Sequence, residues 1–291
     1  MSKIKIVCDS ASDIPLKYED LYEIEMMQIP VTLGDETYSS RRELSSSDFY
    51  QLLEDSDAHP TTQALSSFEF GELFSDLYDQ EYTDIIYVSV CSKGSASFDN
   101  AVQAREHFYE YTPEAKGKFN IHLVDSQSYS AGYGYAVVEA AKMAEKGFCA
   151  DAIVEFLQDW AQNSIVYFGL YSLKFAKRSP IIDLDSAIVG ELIGFRPIME
   201  VSDGEISAEA TVRREGAIIP FLAELCVEEI EAKSPYIIIY GDDSARRDEL
   251  ADALTKSLGY PPSDSYTLSA AISSHTGSEA IGVTFRRRKQ A

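Results

Sequence analysis

Long hydrophobic runs are missing from this chain of 291 residues. The longest uninterrupted apolar stretch is about the length of "YIIIY", and the start "MSKIKIVCDS" has no extended apolar segment before a small-residue cleavage site. A membrane-spanning helix needs about 20 apolar residues and a secretory signal needs about 7 to 15. The sequence therefore predicts neither a membrane span nor secretion.

Cysteine is also scarce. The four cysteines, Cys8, Cys91, Cys149 and Cys226, lie far apart and form no CxxC pair. Closely spaced pairs would be expected in a disulfide framework or a zinc site. We expect reduced thiols in a cytoplasmic protein without a bound metal.

Positive charge is in short supply, with 25 basic against 48 acidic side chains and a formal net charge of −23. Such a field opposes broad contact with nucleic acid or with anionic lipid surfaces. It also repels a small anionic ligand at long range. If such a ligand binds, local amides or an apolar pocket must supply the affinity.

What the chain does contain is a repeated plan in its first half. The segments "IKIVCDSASDIP" (4–15), "DIIYVSVCSKGSASFDNAVQAREHF" (84–108) and "NIHLVDSQSYSAGYGYAVVEAAKMAEKG" (120–147) each begin with a short apolar run and break into Ser, Asp and Gly. The last two continue at helical spacing, as in βα units on a parallel sheet. Ligand sites of such sheets lie beyond the carboxyl ends of the strands, where all three polar breaks fall. Residues 1–160 are predicted to form an N-terminal α/β domain.

The pattern changes from about residue 160. Two alternating runs are joined through Asp203-Gly204, which indicates a hairpin. An amphipathic helix near 215–233, the strand "YIIIYG", a helix near 243–258 and the strands "SYTLSAAI" and "IGVTF" follow. Residues 161–291 are predicted to form a second α/β or α+β domain. A length of 291 residues also favours about two hydrophobic cores.

Small hydroxyl residues mark the candidate site. In "VCSKGSASFDNA" (90–101), Ser97 lies where a helix begins and is expected to cap it. Ser95, between Gly94 and Ala96, leaves the backbone uncovered, and a hydroxyl with free amides at a helix start suits a carboxylate or phosphate. His275 is expected in a polar loop between two strands, where it could donate to an anion or act as an acid or base.

The pairs Asp9-Ser10 and Asp125-Ser126 occupy equivalent positions after two strands. Two aspartates at strand ends could hold Mg²⁺, but there is no DxD motif and no obvious third ligand nearby. Structural capping is the favoured interpretation.

Six segments, taken in order, resemble motifs of the DegV family of bacterial lipid-binding proteins, which includes the fatty-acid-binding subunits of fatty acid kinase. They are "VCDSASDIP", "PTTQALSSFEF", "CSKGSASFDNA", "VDSQSYSAGYG", "FRPIMEVSDGEI" with its following "VRR", and "HTGSEA". The likeness covers nearly the whole chain.

The resemblance implies a long-chain fatty acid lying between two domains, with its carboxylate held by serine and threonine loops. It implies Thr62 and Ser95 as head-group contacts and His275 as a neighbour of the head group. The hydroxyls of Ser97, Ser126 and Thr276 in the same motifs complete the candidate ligand-binding set. A kinase partner is also implied, but no catalytic residue of this chain and no cofactor besides the bound lipid.

Two segments depart from the family pattern. Ser179 and Pro180 replace a glycine pair, and Ile181 stands at an arginine position that the family associates with the head-group end and with handover to the kinase. In the last motif Ser278 and Glu279 replace Pro-Gly. The first change bears on kinase coupling, and a carboxylate beside the head group would disfavour an anion.

Three functions follow from these observations. The first is a lipid carrier that is not itself an enzyme. The second is an enzyme that uses Ser95 and His275 for acyl or phosphoryl transfer, although no GxSxG nucleophile motif is present. The third is a lipid-responsive sensor that binds a partner without a kinase.

Overall fold

The structure, a computed structural model, describes residues 3–39, 41–184 and 194–288. Its strands are β1 (Ile4–Asp9), β2 (Glu25–Met27), β3 (Val31–Leu33), β4 (Glu36–Tyr38), β5 (Thr61–Thr62), β6 (Asp84–Ser89), β7 (Asn120–Asp125), β8 (Ser164–Gly169), β9 (Phe195–Ser202), β10 (Glu205–Arg213), β11 (Tyr236–Tyr240), β12 (Asp264–Thr267) and β13 (Ile281–Arg286). Its α-helices are α1 (Leu16–Leu21), α2 (Ser46–Asp55), α3 (Ser67–Asp79), α4 (Ser97–Tyr111), α5 (Ala131–Glu145), α6 (Ala150–Asn163), α7 (Ile218–Glu229), α8 (Ser244–Leu258) and α9 (Ala270–Thr276). Short 3₁₀ turns cover Ser10–Ser12, Pro113–Ala115, Ala176–Arg178 and Glu215–Ala217.

The N-terminal domain is built on a parallel sheet of strand order β2-β1-β6-β7. Every residue of β6 is buried, as expected for a central parallel strand whose middle residues, 85–88, are apolar. Helices α3 to α6 pack around this sheet. The predicted parallel α/β domain is confirmed, and the polar loops after β1, β6 and β7 lie at one edge of the sheet.

A small antiparallel sheet of order β4-β3-β5 lies beside the parallel one. Gly34, with a φ of 63°, makes the turn of the β3-β4 hairpin. Thr62 pairs with Val31 in this sheet, so the sheet fixes the backbone of the candidate threonine.

The C-terminal domain has a mixed sheet of order β10-β9-β8-β13-β11-β12. Only β11 and β12 pair in parallel among its described strands. The predicted hairpin is confirmed, because β9 and β10 are antiparallel and both turn residues, Asp203 and Gly204, have positive φ. The two-domain α/β architecture therefore agrees with the sequence. The boundary at 160/161 stays a prediction; the chain changes sheets between Asp125 and Ser164.

One predicted strand is wrong in its second half. Strand β12 ends at Thr267, and the residues "AAI" of "SYTLSAAI" begin helix α9. Ser269 caps that helix, since its hydroxyl accepts a hydrogen bond from the Ile272 amide at 3.4 Å. His275 therefore lies in the last turn of a helix and not in a loop between strands.

Polar contacts join the two domains. The Asp13 carboxylate accepts hydrogen bonds from the Ser269 amide (2.8 Å) and from the Ser130 hydroxyl. In a second contact between the domains, Lys93 pairs with Glu205 at 2.9 Å. The first contact fixes the start of α9, and the second holds the tip of the β9-β10 hairpin against the loop after β6. Helices long and apolar enough to cross a membrane are absent from the three described ranges.

Candidate functional site

Two adjoining cavities lie between the domains. One has a volume of about 50 Å³ and a mainly apolar lining, and the other has a volume of about 190 Å³ and several polar groups. They share four lining residues: Tyr129, Ile181, Ile272 and His275.

The apolar cavity is lined mainly by residues of the six-stranded sheet. Besides the four shared residues, its lining is Ser130, Val166, Phe168, Ile182, Val201, Ile206, Ile239, Leu268, Thr276, Ala280 and Ile281. Val166 and Phe168 of β8 both pack into the hydrophobic core of the N-terminal domain, since alternate residues of a strand point to the same side of its sheet. The chemistry of this lining suits a hydrocarbon chain.

The polar cavity is lined mainly by loops of the N-terminal domain. Its further lining residues are Ala11, Ile29, Thr62, Gln63, Ala64, Val90, Gly94, Ser95, Ala96 and Ala271. Thr62, Ser95 and His275, three of the six candidate site residues, therefore line one cavity although the chain separates them widely.

His275 is held between two hydroxyls. Its Nε2 lies 3.1 Å from Thr62 Oγ1, and its Nδ1 lies 3.0 Å from Ser179 Oγ. Burial lowers the pKa of His275 to about 4, and the nearby His59 acts in the same direction. The imidazole is therefore neutral at physiological pH, with one nitrogen as donor and the other as acceptor.

Ser95 and Ser97 have different roles. The Ser95 hydroxyl accepts from the Ser97 amide (3.2 Å) and lies 2.9 Å from the Ser97 hydroxyl. Ser97 is fully buried, and its hydroxyl accepts from the Leu65 amide at 3.1 Å. The prediction that Ser97 caps its own helix is wrong: it is the first residue of α4 and ties that helix to the loop before α3.

The glycine before Ser95 is required by close packing. A Cβ added to Gly94 would lie 2.1 Å from the Tyr129 hydroxyl oxygen. Tyr129 is 8% exposed and lines both cavities. The run of small residues in this loop therefore lets the backbone close on the junction between the polar and apolar spaces.

Other candidates lie apart from the polar cavity. Thr276 lines the apolar cavity, and its hydroxyl donates to the Gly277 carbonyl at 3.0 Å. Ser126 is buried and bonds with the backbone of Ser128, and it lines neither cavity. Ser97 is likewise outside both linings.

The strand-end aspartates are structural. Asp9 is buried and accepts hydrogen bonds from the Val90 amide (2.8 Å) and the Tyr133 hydroxyl (2.6 Å). Asp125 accepts from the amide and hydroxyl of Ser92. Among the described residues there is no cluster of three or more His, Cys, Asp and Glu side chains that could hold a metal ion.

The two departures from the family pattern have different positions. Ile181 lines both cavities at their junction, whereas Glu279 is exposed and outside both linings. The Ser278 hydroxyl points to Asp242, with Oγ donating to Oδ2 at 2.8 Å. The expectation that Glu279 stands beside the head group is therefore wrong, because this turn directs its side chains away from the cavity.

Sequence reasoning missed Tyr129, Ser179 and Ile272 as site residues. Tyr129 lies inside a segment that carries the family resemblance and Ser179 lies inside one that departs from it, yet nothing local to either residue indicates that it faces a cavity. In the segment "VYFGLYSLKFA" (166–176), which leads from β8 into the interdomain region, Phe168 is the one aromatic residue that lines the apolar cavity. Tyr171 instead stacks on the Arg246 guanidinium, with 3.6 Å between the guanidinium carbon and the ring centre.

Comparison with known proteins agrees with this architecture. The family model described as the DegV family of uncharacterised proteins matches residues 3–288. A DegV domain-containing protein of Caldanaerobacter subterraneus subsp. tengcongensis is 27% identical, over 99% of this chain and 100% of the relative. One from Listeria monocytogenes is 26% identical, over 97% and 98%.

Solved structures share the fold. A fatty-acid-binding DegV family protein of Thermus thermophilus has a TM-score of 0.86 at 23% identity, covering 98% of this chain and 100% of that one. A stearic-acid-binding protein of Eubacterium ventriosum has a TM-score of 0.86 at 19% identity, covering 99% and 98%. At these identities the likeness shows the fold alone, and the family is shown by the match along the sequence. This chain belongs to the DegV family.

Proposed function

We propose that this protein binds a long-chain fatty acid between its two domains. The observation that carries the proposal is the direct junction of a hydroxyl-lined cavity with an apolar one. The carboxyl group would lie near Thr62, Ser95 and His275, and the hydrocarbon tail would extend past Ile272 into the apolar cavity. Proteins of similar structure that bind fatty acids support this class of ligand.

The energetics favour a lipid over a small anion. Burying about 14 methylenes at ~0.8 kcal/mol each contributes on the order of 11 kcal/mol before ordering costs. A few head-group hydrogen bonds contribute about 1 to 3 kcal/mol. The tail therefore dominates affinity and can overcome the repulsion between an anionic ligand and a protein of charge −23.

The geometry supports a binding protein over an enzyme. The hydroxyl partners of His275 are Thr62 and Ser179, while Ser95 bonds to Ser97. A serine nucleophile needs a base within hydrogen-bond reach and a group that orients the base. Ser95 and His275 do not make such a pair, so acyl or phosphoryl transfer by this chain alone is the weaker hypothesis. The lipid-responsive sensor remains an alternative with the same binding site.

We further propose that the protein acts in the cytoplasm and presents the bound carboxyl group to a fatty acid kinase for phospholipid metabolism. Gln63, Ala64 and Ala96 line the head-group cavity and are exposed, so another protein could reach the carboxyl group there. The free cysteines, three of which are buried, are compatible with a reducing compartment. The test is acyl phosphate formation when the loaded protein is mixed with a kinase subunit and ATP.

The binding proposal is tested by native mass spectrometry of the freshly purified protein, with lipid identification after denaturing extraction. We expect one long-chain fatty acid per chain, which the delipidated protein rebinds. The Thr62→Ala/Ser95→Ala double variant should rebind it more weakly, and Ser126→Ala serves as a hydroxyl control outside the cavities. A delipidated protein that refuses long-chain acids would refute the proposal.

A further inference from the structure

The head-group cavity has an unusual charge balance for a site that receives a carboxyl group. Among the described residues, the linings of the polar and apolar cavities include no Lys, Arg, Asp or Glu. The hydrogen-bonding side chains of the polar cavity are Thr62, Gln63, Ser95, Tyr129 and His275. All five are uncharged at physiological pH, since burial raises the pKa of Tyr129 above its usual value and lowers that of His275.

The cationic side chains near the site are already paired or point to solvent. Lys93, at the rim, pairs with Glu205 and is half exposed. Arg178 is exposed, and its charge acts on His59. The titratable or charged groups that face the site from the packed elements are Asp13, His59, Cys91, Lys93, Tyr129, Arg178, Asp183, Glu205 and His275.

Helix dipoles do not supply a clear counter-charge. The N-terminus of α4 carries a partial positive charge near Ser95, but the Ser97 amide already donates to the Ser95 hydroxyl. The last turn of α9, where the partial charge is negative, lines the same cavity through His275. The two helix ends therefore act against each other.

An ionised carboxylate would be costly at the end of this cavity that adjoins the apolar one, where Tyr129 and Ile272 are buried. Moving an unpaired charge out of water costs several kcal/mol, and a buried carboxyl group without a cation responds by a raised pKa. The protonated acid avoids this cost and also brings a donor, which hydroxyl and imidazole acceptors can receive. The same hydrogen-bonding groups suit an alcohol or a primary amide.

Resting on the proposed function, we propose that the site recognises an uncharged head group. The fatty acid binds in its protonated form, with uptake of about one proton at neutral pH. Fatty alcohols or amides of equal length bind comparably. Binding of the acid then weakens as the pH rises above the pKa of the free acid. The loss is about tenfold for each pH unit, until the pKa of the bound acid is reached.

Calorimetry tests this directly. Delipidated protein is titrated with myristic acid, myristyl alcohol and myristamide at about pH 7.5, where the free acid is ionised. Two buffers of different ionisation enthalpy give the number of protons taken up. We expect about one proton for the acid and about none for the alcohol and the amide. Repeating the titrations from about pH 6 to about pH 8 should weaken the acid up to 100-fold relative to the alcohol. The alcohol corrects for titration of the protein itself.

Variants locate the proton. Ile181→Arg adds a cation at the junction and should abolish proton uptake while favouring the acid over the alcohol. Ile181→Met, the matched uncharged change, should keep the uptake. His275→Asn should also keep it. Loss of uptake in His275→Asn would place the proton on the imidazole and overturn the proposal.

Failure of this inference and failure of the proposed function are distinguishable. If no ligand of the series binds, fatty-acid binding itself is refuted. If the acid binds without proton uptake and the alcohol and amide do not bind, the protein is a fatty-acid binder that selects the carboxylate, and only the inference falls.

Discussion

The packing of Gly94 against Tyr129 gives a prediction whose size follows from the structure. A methyl group at residue 94 would lie 2.1 Å from the Tyr129 hydroxyl oxygen, whereas ordinary contacts lie at 3.4–4 Å. The phenol must therefore retreat by about 1.3 Å from a position where it is 8% exposed. Overpacking of this kind costs about 1 to 3 kcal/mol. We expect Gly94→Ala to lower the free energy of unfolding by that amount.

The same displacement should weaken ligand binding, because Tyr129 lines both cavities. If the ring moves into the space for the ligand, the affinity for myristic acid should fall by about 10- to 100-fold. Urea unfolding and calorimetry on one protein preparation measure the two effects.

A control and a rescue make the reasoning refutable. Gly71, in α3, has no atom within 4 Å of an added Cβ, so Gly71→Ala should stabilise by about 0.5 to 1 kcal/mol and leave binding unchanged. Tyr129→Phe removes the closest atom and leaves the ring carbon Cζ at 3.1 Å. Adding it to Gly94→Ala should recover about half of the lost stability or more. Full stability and binding in Gly94→Ala, or no recovery in the double variant, would refute the packing argument.

Two further predictions concern ionisable groups. Because the pKa of His275 is lowered in the fold, the unfolded chain binds the imidazole proton more tightly, and the free energy of unfolding should fall by up to about 3 kcal/mol as the pH drops from about 6.5 to about 4. Urea unfolding across this range should show a smaller drop for His275→Asn. Identical pH profiles of the two proteins would contradict the assignment of a neutral imidazole. Asp13 should act in the opposite direction, because burial raises its pKa to about 6 and its protonation between about pH 6 and pH 4 therefore favours the fold. Asp13→Asn should remove this pH-dependent gain in the free energy of unfolding. In the native state, we expect one cysteine, the exposed Cys149, to react fast with a thiol reagent, and all four cysteines to react after unfolding. Fast labelling of the native Cys149→Ser variant would contradict the burial of the other three cysteines.

Much of the fold could be predicted from sequence because the signals are local. Apolar runs that break into hydroxyl residues marked β1, β6 and β7, and the Asp203-Gly204 turn marked the long hairpin. The strand prediction over "SYTLSAAI" failed because a short apolar run does not by itself distinguish a strand from a helix, and the Ser269 cap decided for the helix.

The sequence by itself determined the order of elements, the family motifs and the residue types offered to the ligand, including Thr62, Ser95 and His275. Tertiary structure decided which of these residues meet: Thr62 and Ser179 contact the ring of His275 from positions 213 and 96 residues away in the chain. It also decided that the hydroxyls of Ser97 and Ser126 form hydrogen bonds with the backbone and that Glu279 faces solvent. The physical reason is that burial and the charge around a cavity are sums over residues distant in sequence, which only the packed domains bring together.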